Sequence, residues 1–144
     1  MRFKQITNRL FQGDAEDAKA TVSPRSDRWR ELGIKAVICP GARERLVVHG
    51  IEYHNELEVL LLAWADHEPV CPAIFNMIVE FHRLQNGATF VHCMGGTNRS
   101  AAIAAAILVS EGKSIDEAFA VIKPWHPQMI LNVRAFAEHR RQLT

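Results

Sequence analysis

The 144 residues carry almost no excess charge, 17 lysines and arginines against 16 acids for a net +1. Composition therefore gives no electrostatic argument for nucleic acid or an anionic membrane as partner. Cysteine is sparse: Cys39, Cys71 and Cys93 are odd in number, far apart and without a C-x-x-C pair. That pattern suggests neither a disulfide framework nor a zinc site and fits a reducing compartment. No apolar run approaches the roughly 18 residues of a membrane span. The opening MRFKQITNRLFQG is too polar for a signal peptide, and the closing RRQLT holds no lipidation motif. Repeats, linkers and low-complexity stretches are missing as well. What remains is one globular domain over residues 1–144, 48% hydrophobic and long enough to bury a core. It is expected to be cytoplasmic, monomeric and free of cofactor and metal.

What the chain does have is concentrated in TFVHCMGGTNRSAAIAAAILVS, residues 89–110. Thr89, Phe90 and Val91 are β-prone, Gly95 and Gly96 punctuate the middle, and an alanine-rich helix former begins near Arg99. A strand, tight loop and helix in that order can turn successive backbone N–H groups toward the positive end of a helix, where an oxyanion is held. Met94, Gly95, Gly96, Thr97, Asn98 and Arg99 would form that cradle. Cys93 sits at its mouth, facing N–H groups and a guanidinium, and is expected to react as a thiolate. Arg99, six residues on, can bring its planar fork over two oxygens of the same anion. Cys93 would then attack phosphorus.

The remainder reads as alternating strands and helices. Residues 3–6 and 9–12 suggest short strands, 26–32 a short helix ended by Gly33, and 34–39 a buried parallel strand closed by Pro40 and Gly41. A charged loop follows. Residues 50–54 alternate like an edge or half-buried strand, and the apolar run 59–63 is open between strand and helix. Helices are expected over 72–84, over 101–109 as the central helix, from the Ser114–Glu117 capping box to Pro124, and from Pro127 onward. The fold class is an α/β sandwich: a mostly parallel central sheet of about four to five strands, helices on both faces, and the phosphate-binding loop between strand and central helix. The carboxyl ends of the strands should hold the site.

HCMGGTNRS resembles the signature of the cysteine-dependent phosphatases of the protein tyrosine phosphatase superfamily: His-Cys, five residues, Arg, then Ser or Thr. Chain length and the position of the cysteine place the resemblance closest to the compact dual-specificity branch. LFQGDAEDA also resembles the opening of such domains through Leu10, Phe11, Gly13, Asp17 and Ala18. Gly95 departs from the family's usual alanine, which should loosen the loop. The resemblance implies a phosphomonoesterase acting on phosphotyrosine, and on phosphoserine or phosphothreonine, through a cysteinyl-phosphate intermediate. It implies a general acid on an upstream loop, because the cysteine loop contains no acid. Asp66, 27 residues before Cys93, fits that place; Glu68 is next, and Asp14 and Asp17 fit poorly. Ser100 would donate to the departing sulfur or cap the helix, and His92 would support the loop from behind. Cys39, at the end of its strand, resembles a cysteine that some family members use as a redox partner for the nucleophile, and is equally a buried core residue. Asn132 is left outside the site. Trp64, Trp125 and His126 could line the rim.

Two other readings stay open. A catalytically weak phosphate-binding module follows if Asp66 does not stand over the loop. An RNA 5′-polyphosphatase of the same superfamily is suggested by Asn98 before Arg99, so the RNA 5′ end stays beside a phosphorylated protein or small phosphoester as substrate. A rhodanese-like sulfurtransferase is disfavoured by the Arg99-Ser100 ending.

Overall fold

The computed structural model describes residues 3–95 and 97–143. Five strands form one sheet: β1 (Lys4–Thr7), β2 (Leu10–Gly13), β3 (Ile34–Cys39), β4 (Glu58–Leu61) and β5 (Ala88–His92), in the spatial order β1-β2-β5-β3-β4. Only β1 against β2 is antiparallel; β2 with β5, β5 with β3 and β3 with β4 are parallel. The central strand β5 is buried at every residue, as befits a strand covered on both faces, and its two polar side chains are paired, Thr89 with His82 and His92 with Tyr53.

Alternation along the strands sorts two cores. Leu10, Ile38 and Val91 point to one face, beneath α4 (Pro72–Arg83), α5 (Asn98–Ser110), α6 (Ile115–Val121) and α7 (Pro127–Gln142). Phe11, Val37, Cys39 and Phe90 point to the other, beneath α1 (Ala15–Thr21), α2 (Arg28–Glu31) and α3 (Arg43–Val48). Residues 101–107 of α5 are all buried, so this helix runs through the middle of the domain. Proline opens α4 and α7, and the Ser114–Glu117 capping box opens α6. No helix among the described residues is long and apolar enough to cross a membrane.

The run 59–63, left open between strand and helix, is strand through Leu61: β4 (Glu58–Leu61) pairs with β3 from Ala36↔Glu58 to Cys39↔Leu61. Residues 50–54 are not a strand: Ile51 N–H goes to Leu46 O and His54 N–H to Val22 O, so the half-buried alternation reflects docking of a coil. The charged loop contains α3, held by the single buried anchor Leu46, too short for a periodic stripe. Helix α1 was likewise hidden, its reciprocal Asp14–Asp17 capping box standing in a stretch that otherwise reads as core and turn.

Candidate active site

Strand β5 ends at His92, α5 begins at Asn98, and the loop between them lies at the carboxyl edge of the sheet. Thr97 turns that loop with φ 55°, the one positive φ outside glycine among the described residues. A β-branched residue in that conformation costs on the order of 1–3 kcal/mol, and such strain gathers at functional sites. Cys93 is buried at the loop's start, its Sγ 3.5 Å from Ser100 Oγ and 3.7 Å from the Gly95 carbonyl oxygen.

Ser100 is placed from two sides. Its hydroxyl lies 3.0 Å from Thr97 O, to which it can donate, and it accepts from Gln12 Nε2 at 2.7 Å. A single hydroxyl proton is therefore available to Thr97 O or, after rotation, to a sulfur carrying negative charge. Gln12, the buried polar residue near the end of β2, was not singled out from sequence. Its only signal was a carboxamide inside LFQG, a strand otherwise built for burial.

Arg99 closes the opposite wall. Its Nη1 donates to Pro40 O (3.1 Å) and Trp64 O (2.7 Å), while Nε lies 3.3 Å from Asp66 Oδ1. The guanidinium thus joins the end of β3 to the segment after β4, and brings Asp66 beside the first turn of α5. Glu68 accepts the Ala65 N–H through Oε1, folding the segment back on itself. Asn132, outside the expected site, holds that segment from α7: its Oδ1 accepts from Val70 N–H at 3.1 Å and its Nδ2 donates to Glu68 O at 3.0 Å. Arg99, Asp66, Glu68, Trp64 and Met94 line a cleft of about 400 Å³.

Several expected cradle residues behave differently. Asn98 is buried, and its Oδ1 accepts from the N–H groups of Trp125 (2.9 Å) and His126 (3.0 Å). Its side-chain oxygen thereby ties the start of α5 to the start of α7. Met94 is nearly buried in the core under α1–α3 while also bordering the cleft beside Gly41. Gly95 is exposed, has no positive φ and has nothing within 4 Å of a built Cβ, so a methyl group would fit there. Its carbonyl oxygen lies on the sulfur side of the loop, 3.7 Å from Cys93 Sγ, and not away from it as an anion cradle requires. Gly96 lies outside the described residues. Trp125 is exposed beside His126 at the start of α7, and Asp14 serves as the N-cap of α1.

His92 is wholly buried behind the loop with Nε2 2.6 Å from the hydroxyl of Tyr53, the chain's single tyrosine. Burial pushes His92 down to about 4 from the ordinary 6.5, partly opposed by the Cys93 backbone. The unfolded chain takes up this proton near 6.5 and the folded chain only near 4, so folding stability falls as pH drops through that window. Denaturation between pH 7 and pH 4 should show a loss approaching about 3 kcal/mol from this group. His92→Gln should flatten that part of the slope; an identical slope in both chains would show that His92 does not titrate this way.

Cys39 is buried at the end of β3 on the Val37 face, and burial pushes its thiol up to about 12. Cys71 is exposed at the N-cap of α4.

No protein-family model matches the sequence, and no curated protein matches it. Solved structures do match. A variant of human DUSP28 superposes with TM-score 0.82 at 19% identity, covering 100% of this chain and 99% of its own. PTPMT1 in complex with PI(5)P gives 0.77 at 17% identity, with 100% of both chains covered. The human tyrosine phosphatase-like serine/threonine/tyrosine-interacting protein gives 0.76 at 24% identity, with 99% of both covered. The chain has the fold of dual-specificity phosphatases from end to end.

Proposed function

We propose that the protein hydrolyses phosphate monoesters of phosphorylated proteins through a cysteinyl-phosphate intermediate on Cys93. The observation that carries this reading is the convergence of three segments on one cleft. The thiol and Ser100 lie at the start of the buried helix α5, and Arg99 is clamped between Pro40 O and Trp64 O with Asp66 at 3.3 Å.

In the first step the Cys93 thiolate attacks phosphorus, the bond to the leaving oxygen breaks, and that oxygen takes a proton from Asp66. Arg99, the positive end of α5 and the loop N–H groups meet the charge on the remaining oxygens. Glycine at 95 gives its peptide room to turn the carbonyl away from the incoming anion. In the second step a water attacks phosphorus and loses its proton to the Asp66 carboxylate. The phosphorus–sulfur bond breaks, and the Ser100 hydroxyl turns from Thr97 O to the departing sulfur. No step uses a metal.

A second reading, a phosphate-binding module with little turnover, draws on the Gly95 carbonyl facing the sulfur. Assay with p-nitrophenyl phosphate separates the two. Metal-independent hydrolysis, unchanged by EDTA, is expected; vanadate or phosphate binding without hydrolysis of this ester or of a phosphotyrosine peptide would establish the binding module instead.

A further inference from the structure

Helix α3 brings a second guanidinium to the cleft. Leu46 anchors the helix in the core, and Arg45, one residue earlier, is turned to the rim of the same 400 Å³ space that Arg99 and Asp66 line. Between the two arginines the wall consists of Pro40, Gly41 and Ala42. A Cβ on Gly41 would come within 3.0 Å of Met94 Cε and 3.3 Å of Cys39 Sγ, so this wall is backbone in close packing, with no long side chain to fill the space above it.

The other charges of the cleft are engaged. Asp66 faces Arg99, and the Glu68 carboxylate accepts the Ala65 N–H. Arg45 is exposed, and its side chain has no ion-pair or hydrogen-bond partner among the described residues. A planar, always charged fork beside an anion-binding site suits a second carboxylate or phosphate.

We propose that Arg45 binds a second anionic group of the substrate, so that the preferred substrates are phosphopeptides with an acidic or phosphorylated residue next to the phosphate being removed. This rests on the phosphatase reading of the cleft and adds its substrate class. The cleft has two anion positions: the loop of Cys93 and Arg99 takes the reacting phosphate, and Arg45 takes the neighbour.

Phosphotyrosine peptides that differ only in the adjacent residue, alanine, aspartate or phosphothreonine, test this. In the native chain an acidic neighbour should raise kcat/KM about tenfold through KM, the scale of one charge-assisted contact. The ratio between acidic and alanine peptides should fall to near one in Arg45→Ala, partly return in Arg45→Lys and invert in Arg45→Glu. A preference for phosphothreonine but not aspartate would identify a second phosphate; equal preference would show that a carboxylate suffices. Dissociation constants of the same peptides for Cys93→Ser, with and without Arg45→Ala, give the ratio without turnover. Loss of hydrolysis alone would then count against the phosphatase reading, not against Arg45. A ratio that Arg45→Ala leaves unchanged, or no preference by either measure, would overturn the proposal.

Discussion

Replacing Cys93 by serine is expected to lower phosphatase turnover on the order of 10⁶-fold, the scale on which an enzyme loses its covalent nucleophile. The cause is specific to the atom. Serine keeps the volume and the contact with Ser100 Oγ, now 3.5 Å from Sγ, but its hydroxyl stays protonated where a thiol ionises, and no base adjoins it among the described residues. Arg99 and the end of α5 remain in Cys93→Ser, so vanadate or phosphate should still bind. Steady-state turnover of p-nitrophenyl phosphate, paired with an anion-binding measurement, checks both halves. Hydrolysis surviving in this variant would remove Cys93 from the reaction.

Asp66→Asn should show a different pattern. The carboxamide keeps the size of the side chain and can still meet Arg99 Nε, 3.3 Å from Oδ1, but it cannot transfer a proton. Esters with poor leaving groups, such as a phosphotyrosine peptide, should slow by about 10²–10⁴-fold, and p-nitrophenyl phosphate by much less, because its leaving oxygen needs the proton less. The alkaline limb of the pH–rate profile should disappear with it. Glu68→Gln is the control: that carboxylate is occupied with the Ala65 N–H, so its loss should disturb the segment without changing the profile. An unaltered profile in Asp66→Asn would move the proton to Glu68 or to no side chain at all.

The parts of this site that were legible in the sequence are local ones. Cys93, Arg99 and Ser100 sit within eight residues, so strand-loop-helix geometry alone brings them together. Asp66 was found by its place before the returning helix. What escaped is what depends on distant packing: Gln12 reaches Ser100 across 88 positions, and Asn132 reaches Glu68 and Val70 across more than 60. A lone carboxamide carries no pattern until its partner is in view. The side-chain partners of Asn98 were out of view for a related reason, since they lie 27 and 28 residues on. Arg45 was lost with α3, a helix of six residues whose single inward leucine leaves no periodicity. The sheet and the buried helix were readable because their apolar runs are long enough to repeat.

Among the described residues no hydrogen bond or ion pair links helix α7 to Cys93 or Arg99, yet two walls of the site are held from it. At its start, the N–H groups of Trp125 and His126 grip Asn98, the residue before the loop arginine; about one and two-thirds turns later, Asn132 grips the backbone just after Asp66. Six residues of α-helix advance about 9 Å. That stretch acts as a ruler between the Asp66 segment and the start of α5, and its scale is set by the rise per residue and not by any side chain in the cleft. A residue inserted between His126 and Asn132 would turn Asn132 through about 100° and release one end of the ruler, leaving every reacting group intact but no longer spaced to one another.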